Sequence, residues 1–148
     1  MGRRRGFAPV TAAGAAPGGF EPVDAFDLPD WLGVSDVTWV AEAGVRRGHA
    51  VPGHLAGSGA DPIPCDLLAV DPAYPAAVAP ETVRHDAHQA WRHGQVLLVG
   101  RDGRLTLTVP GTGFTADLVL EAVARLALAV GAPVERYAVL LRIGAERP

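Results

Sequence analysis

The chain has 148 residues, 49% of them hydrophobic and 20% charged, with a formal net charge of −3. This balance fits one globular domain and excludes a collagen-like rod, a long coiled coil and a wholly disordered polymer. All thirteen cationic side chains are arginine, and with neither lysine nor asparagine present, a Walker lysine, a Schiff-base lysine and a Cys-His-Asn triad are all excluded.

Abundant Ala, Gly, Pro and Val beside arginine reads as GC-rich coding and a high-GC bacterial source. Cys65 is the only cysteine, so the chain holds no internal disulfide, and it cannot build a cysteine zinc site or an iron–sulfur site alone. Ten arginines after position 26 face fourteen acids, which leaves no basic stripe for nucleic acid. No apolar run reaches the ~20 residues that span a bilayer. The most apolar stretch, Leu118 to Val130, carries Glu121 and Arg125 and reads as a core helix, so no membrane partner is expected.

Residues 1–25, rich in Arg, Gly and Pro, bury too little surface to offset their ordering entropy and read as a flexible tail. The single domain is then 26–148. Arg4-Arg5-Gly6-Phe7 has the outline of a twin-arginine export signal, with small residues around Ala13 to Ala16 for cleavage. Pro9 and the shortness of the apolar segment weigh against it, so a cytoplasmic location is expected, with export as the alternative.

Asp27 to Leu32 reads as a helical turn with Pro29 near its start and Gly33 closing it. Three extended segments follow, Asp36 to Glu42, Gly48 to Ala56 and Cys65 to Val70, with Pro52 assigning the second to a sheet edge. A helix is expected from about Pro80 to His93, ended by Gly94. Asp102-Gly103 between apolar runs predicts a tight hairpin in which Leu98 faces Leu107 and Val96 faces Val109. Leu97, Val99, Thr106 and Thr108 share its other side.

A second helix spans about Thr115 to Val130, its only charges Asp117, Glu121 and Arg125 along one stripe, so that everything else on it is free to be buried. Gly131-Ala132-Pro133 closes it, and Tyr137 to Ile143 is a final strand, completing a right-handed crossover if it lies parallel beside the hairpin. The expected fold is α+β: a mostly antiparallel sheet of about six strands, two main helices on one face, and a disordered N-terminal tail. This element order resembles the layout of type III secretion chaperones and related small α+β proteins, in which no shared motif residues take part. The likeness implies a dimerising domain.

Glu81, His85 and His88 fall within one sector of the helix over 80–93, a spacing that could offer two imidazoles and a carboxylate to a metal. The opposite side carries Val83, Ala87, Ala90 and Trp91, so the polar sector reads as a solvated face. Cys65 with His49 or His54 would make a thiolate–imidazole pair if the strands brought them together. A buried, inert thiol is the simpler expectation. Ser35 and Ser58 lie in no nucleophile elbow, and Gly111-Thr112-Gly113 lacks the third glycine of a phosphate loop and is followed by Asp117. Asp61, Asp66 and Asp71 could gather as cation ligands, but each has a turn-like neighbour that makes capping the ordinary reading.

No residues are assigned to catalysis and no cofactor is expected. The leading functional expectation is a non-enzymatic protein-interaction module, chaperone-like or adaptor-like, that self-associates or binds a protein partner. It rests on the apolar hairpin face of Leu97, Val99, Thr106 and Thr108, which needs cover; if the chain itself covers that face, the argument for a partner there is lost. The alternative is a small enzyme or a ligand- or metal-binding protein that uses His85 or His88 with Glu81 or with an aspartate from 61–71.

Overall fold

Eight strands, rather than about six, hydrogen-bond into one mixed sheet in the computed structural model, which describes residues 19–44, 49–72 and 78–142. In chain order they are β1 (Phe20–Pro22), β2 (Val37–Gly44), β3 (Ala50–Val51), β4 (Gly53–Gly57), β5 (Ile63–Ala69), β6 (Leu97–Arg101), β7 (Arg104–Val109) and β8 (Tyr137–Arg142). Three α-helices accompany them, α1 (Trp31–Val34), α2 (Glu81–Arg92) and α3 (Ala116–Ala129). The order across the sheet is β1-β6-β7-β5-β4-β2-β8, with β3 also on β5.

Two neighbouring pairs, β5 with β7 and β2 with β8, are parallel, and the others are antiparallel. The expected mostly antiparallel sheet is therefore corrected to a mixed one. The last strand does not adjoin the hairpin but crosses to the far edge and pairs with β2, Val37 opposite Tyr137. β1 begins within the stretch assigned to the tail, with Phe20 buried in the fold; residues 1–18 lie outside the described residues.

The two long helices sit on opposite faces, which corrects their expected placement on one. Alternation along a strand sends Leu67 and Leu68 to opposite sides. Leu67 joins Trp39, Leu55, Leu105, Leu107 and the α3 residues Val119, Val123 and Leu126, while Leu68 joins Phe20, Val99 and the α2 residues Val83 and Ala87. β5 carries apolar residues on both sides, and β7 buries Leu105, Leu107 and Val109 on one side and Thr106 and Thr108 on the other. A sheet centre like that is buried only when a helix covers each face.

The local signals act as the sequence demands. The hairpin turns on Asp102 and Gly103, both at positive φ (57° and 77°), with Leu98 opposite Leu107. Two positive φ values are what a two-residue turn needs to match strand twist. Thr115 caps α3 by accepting from the Leu118 amide at 3.1 Å. Each long helix ends on a glycine at positive φ, Gly94 and Gly131, with the amide beyond it bonded back to Ala90 or Ala127.

Pro52 does not mark an edge, because β4 lies between β2 and β5. Pro52 keeps its carbonyl in the ladder, accepting from the Glu42 amide at 2.8 Å. Either side of it the register against β5 is unchanged, Val51 opposite Leu67 and His54 opposite Pro64, so the ladder opens over Pro52 and Gly53 without inserting a residue. Side chains fill the opening. The Trp39 indole donates to the Cys65 carbonyl at 2.9 Å, the Gly53 amide donates to Asp66 at 3.3 Å, and Arg104 donates to the Gly53 carbonyl at 3.0 Å.

The Trp39 ring lies against Gly53, where an added Cβ would fall 2.4 Å from the ring. Gly53→Ala should therefore destabilise the protein by about 1–3 kcal/mol through overpacking, seen as a lower urea midpoint with an unchanged slope. A wild-type midpoint would show that the indole does not need that space.

Candidate functional site

Helix α2 displays its expected polar face. Glu81 and His85 are exposed and make no side-chain hydrogen bond among the described residues, whereas His88 is drawn inward. His88 Nε2 lies 2.6 Å from Asp71 Oδ1, and Asp71 Oδ2 accepts the Gly111 amide at 2.7 Å. A carboxylate can only accept, so His88 donates through Nε2, and when neutral its Nδ1 holds the lone pair.

Asp71 follows β5 and Gly111 follows β7, which places this pair at the carboxyl ends of two parallel neighbours. Burial works against a charged Asp71. The hydrogen bonds from His88 and Gly111, with the charges of His88 and Arg84, outweigh it and hold the carboxyl below its ordinary value. The Gly111 amide is thereby taken by a side chain of the protein itself, and Thr115 occupies the Leu118 amide at the start of α3.

The other expected groupings do not assemble. Asp66 turns to Arg104, Asp71 to His88, and Asp61 is exposed. His49 donates to the Ala69 carbonyl and His54 to Glu42. Cys65 is fully buried on the α3 side of β5, and alternation puts His54, opposite Pro64, on the other side. Burial, and the Asp66 charge after it, push the thiol pKa far up. Ser35 ends α1 and Ser58 lies in the exposed β4–β5 loop. Among the described residues no three His, Cys, Asp or Glu side chains gather as metal ligands.

The hairpin face of Leu97, Val99, Thr106 and Thr108 is covered by the chain itself. Val99 and Leu97 pack with Phe20 and with Val83 and Ala87 of α2, and both threonines are fully buried. Thr108 donates to the Leu97 carbonyl at 2.9 Å, while the Thr106 hydroxyl has no partner among the described residues. This face carries no argument for a partner.

One constellation has no counterpart in the sequence reading. On the same side of the sheet, beyond α2, a polar row crosses four adjacent strands: Arg104 on β7, Asp66 on β5, His54 on β4 and Glu42 on β2. Arg104 holds both oxygens of Asp66, with Nε at 3.1 and 2.9 Å and Nη2 at 2.8 Å, and comes within 3.7 Å of Glu42. His54 Nδ1 donates to Glu42 at 3.0 Å. The available signal is Asp66 itself, a lone acid in a strand otherwise apolar on both faces, which requires a cation. Which arginine answers it is not written locally, since Arg104 lies 38 residues away.

A second unanticipated feature is apolar. Leu120 and Leu128 of α3, Val134 of the turn before β8, Leu140 of β8 and Val34 of α1 are all exposed. α3 packs on β8, and Arg136 ties the Val134–Arg136 turn to the Val34 carbonyl and to Asp36. The Tyr137 hydroxyl donates to the Leu32 carbonyl at 2.6 Å. The expectation that all uncharged positions of the second helix are free to be buried is corrected: among the described residues, five of the six large apolar side chains that stand exposed, all but Phe26, belong to elements at the β8 edge.

Compared with known protein families, with curated proteins and with solved structures, the chain finds no match. No helix among the described residues is long and apolar enough to cross a membrane.

Two outcomes follow from these environments. Cys65 should resist a thiol reagent in the folded protein and react fully once unfolded; rapid labelling of the native state would contradict its burial. Asp71, with its carboxyl held below the ordinary 3.8, stabilises the fold above that pH, and the contribution disappears as pH falls through the lowered value. Asp71→Asn should thus melt lower than wild type at neutral pH, with the difference closing in acid.

Proposed function

We propose that this protein is a non-enzymatic interaction module, chaperone-like or adaptor-like, that self-associates through the edge of the sheet bearing β8. The observation that supports this reading is the gathering of Val34, Leu120, Leu128, Val134 and Leu140 on adjoining elements. Single exposed apolar side chains are ordinary, but grouped ones mark surfaces that meet other proteins. The hairpin face contributes nothing, being covered from within.

Light scattering on the untagged protein at micromolar concentration should give a dimer, and Leu128→Asp should shift it toward monomer with an unchanged circular dichroism spectrum. A wild-type protein that stays monomeric would overturn self-association.

A second reading is favoured by the His88–Asp71 pair. Ligands of open sheets containing parallel strands commonly bind at the carboxyl ends, and there the pair leaves Nδ1 of His88 as a base or ligand atom. In this reading a small enzyme or binding protein works through α2, and a native mass spectrum of protein from its own host shows a monomer with extra mass that His88→Ala removes. Identical spectra for wild type and variant would reject it.

A further inference from the structure

We infer that the partner at this edge is a second copy of the chain, paired antiparallel along β8 about a two-fold axis at Leu140, so that the two sheets join into one. The inference rests on the self-association proposed above and names its geometry.

The two edges of the sheet differ in how they meet water. β1 has three residues, ends at Pro22 and includes Glu21, the short and interrupted form that blunts further pairing. β8 has six residues, and Tyr137 to Leu141 contains neither charge nor proline. β8 has no strand on its outer side among the described residues. Such an edge offers a full row of backbone donors and acceptors to another strand.

Symmetry limits the pairing. A two-fold axis normal to the sheet keeps each copy's α3 on the same face, so each residue must meet one of its own facing, and a single residue of β8 must meet itself. Leu140 is the most exposed large apolar side chain between Tyr137 and Leu141, at 59%, and it lies on the side away from α3. With Leu140 at the axis, Val139 meets Leu141 of the partner subunit on the α3 side. Both contacts are apolar.

The helix above has matching symmetry. Leu120, Ala124 and Leu128 follow at intervals of four along α3, large, small and large about a centre at Ala124. The opposite flank is taken by Arg125, whose guanidinium lies 3.6 Å over the Trp91 ring of α2. A two-fold axis near Ala124 sets Leu120 against Leu128 of the partner subunit twice over, with the alanines allowing close approach. Leu120, Leu128 and Leu140 bring on the order of 300 Å² per copy, so two copies supply about 600 Å² before Val139, Leu141 and the β8 backbone are counted, toward the ~1,200–2,000 Å² of a stable interface.

Leu140→Cys tests the register. Residues opposite one another in an antiparallel pair have Cα atoms about 4.5–5.5 Å apart, within disulfide reach, and the native Cys65 is buried and silent. Mild oxidation should link most of the Leu140→Cys protein into dimers, while Ala56→Cys, on the same face but inside the sheet, should link none. A wild-type dimer whose Leu140→Cys variant fails to cross-link would overturn the β8 pairing and leave self-association standing. A wild-type monomer would overturn both. Leu140→Asp should weaken the dimer at least tenfold by light scattering while its melting behaviour as a monomer is retained; an undiminished dimer would also reject the β8 pairing.

Discussion

The sheet is organised around the opening at Gly53, where a strand interrupted by Pro52 crosses its middle and the backbone ladder gives way to side chains. The Cys65 carbonyl, Gly53 amide and Gly53 carbonyl would each be left without a ladder partner, and Trp39, Asp66 and Arg104 satisfy them in that order. A buried backbone group left unpaired costs about 1–3 kcal/mol. The three side chains come from β2, β5 and β7, so the repair also ties strands that are distant in sequence. Gly53 is required for the space in which the Trp39 ring rests.

The arrangement of faces follows from the composition of the central strands. From Cys65 to Val70 every residue is buried, and Asp66 alone is charged. A strand apolar on both sides needs cover above and below, which α3 and α2 provide on opposite faces. α2 covers the β6–β7 part of its face, and over β4, β2 and β8 the same side carries no helix among the described residues, showing instead Thr38, Val40, His54 and Ala56 at intermediate exposure. His54 and Glu42 extend the polar row into that uncovered part, where water rather than protein competes for their hydrogen bonds.

What is legible in the sequence is decided within a few residues. Asp102-Gly103 carries its own turn, Thr115 its own cap, and Gly94 and Gly131 their own helix ends, so these elements stand where the pattern puts them. What is not legible depends on partners far along the chain. The run at 137–142 declares a strand but not its neighbour, and β2 rather than β7 takes it. Pro52 is a sound edge signal by itself and fails because Trp39, Asp66 and Arg104 compensate for it. Nor does the wheel of α2 distinguish His88 from His85, since only Asp71 at the end of β5 draws one of the two inward. The apolar excess on α3 is visible in its composition, yet the exposure of Leu120 and Leu128 depends on which flank α2 and β8 leave uncovered.

The pairing of β2 with β8 sets an order of events during synthesis. Asp36 and Arg136, which meet beside the first rungs of that pair, are 100 residues apart. At ribosomal rates of about 5–20 residues per second, the outer side of β2 waits roughly 5–20 s before its partner exists. Val37, Trp39 and Ala41 can meet β4 long before then, because the hairpin into β4 and β5 is local. The nascent chain therefore presents β2 as a temporary edge, and β8, emerging later, removes that edge while exposing its own outer side in turn.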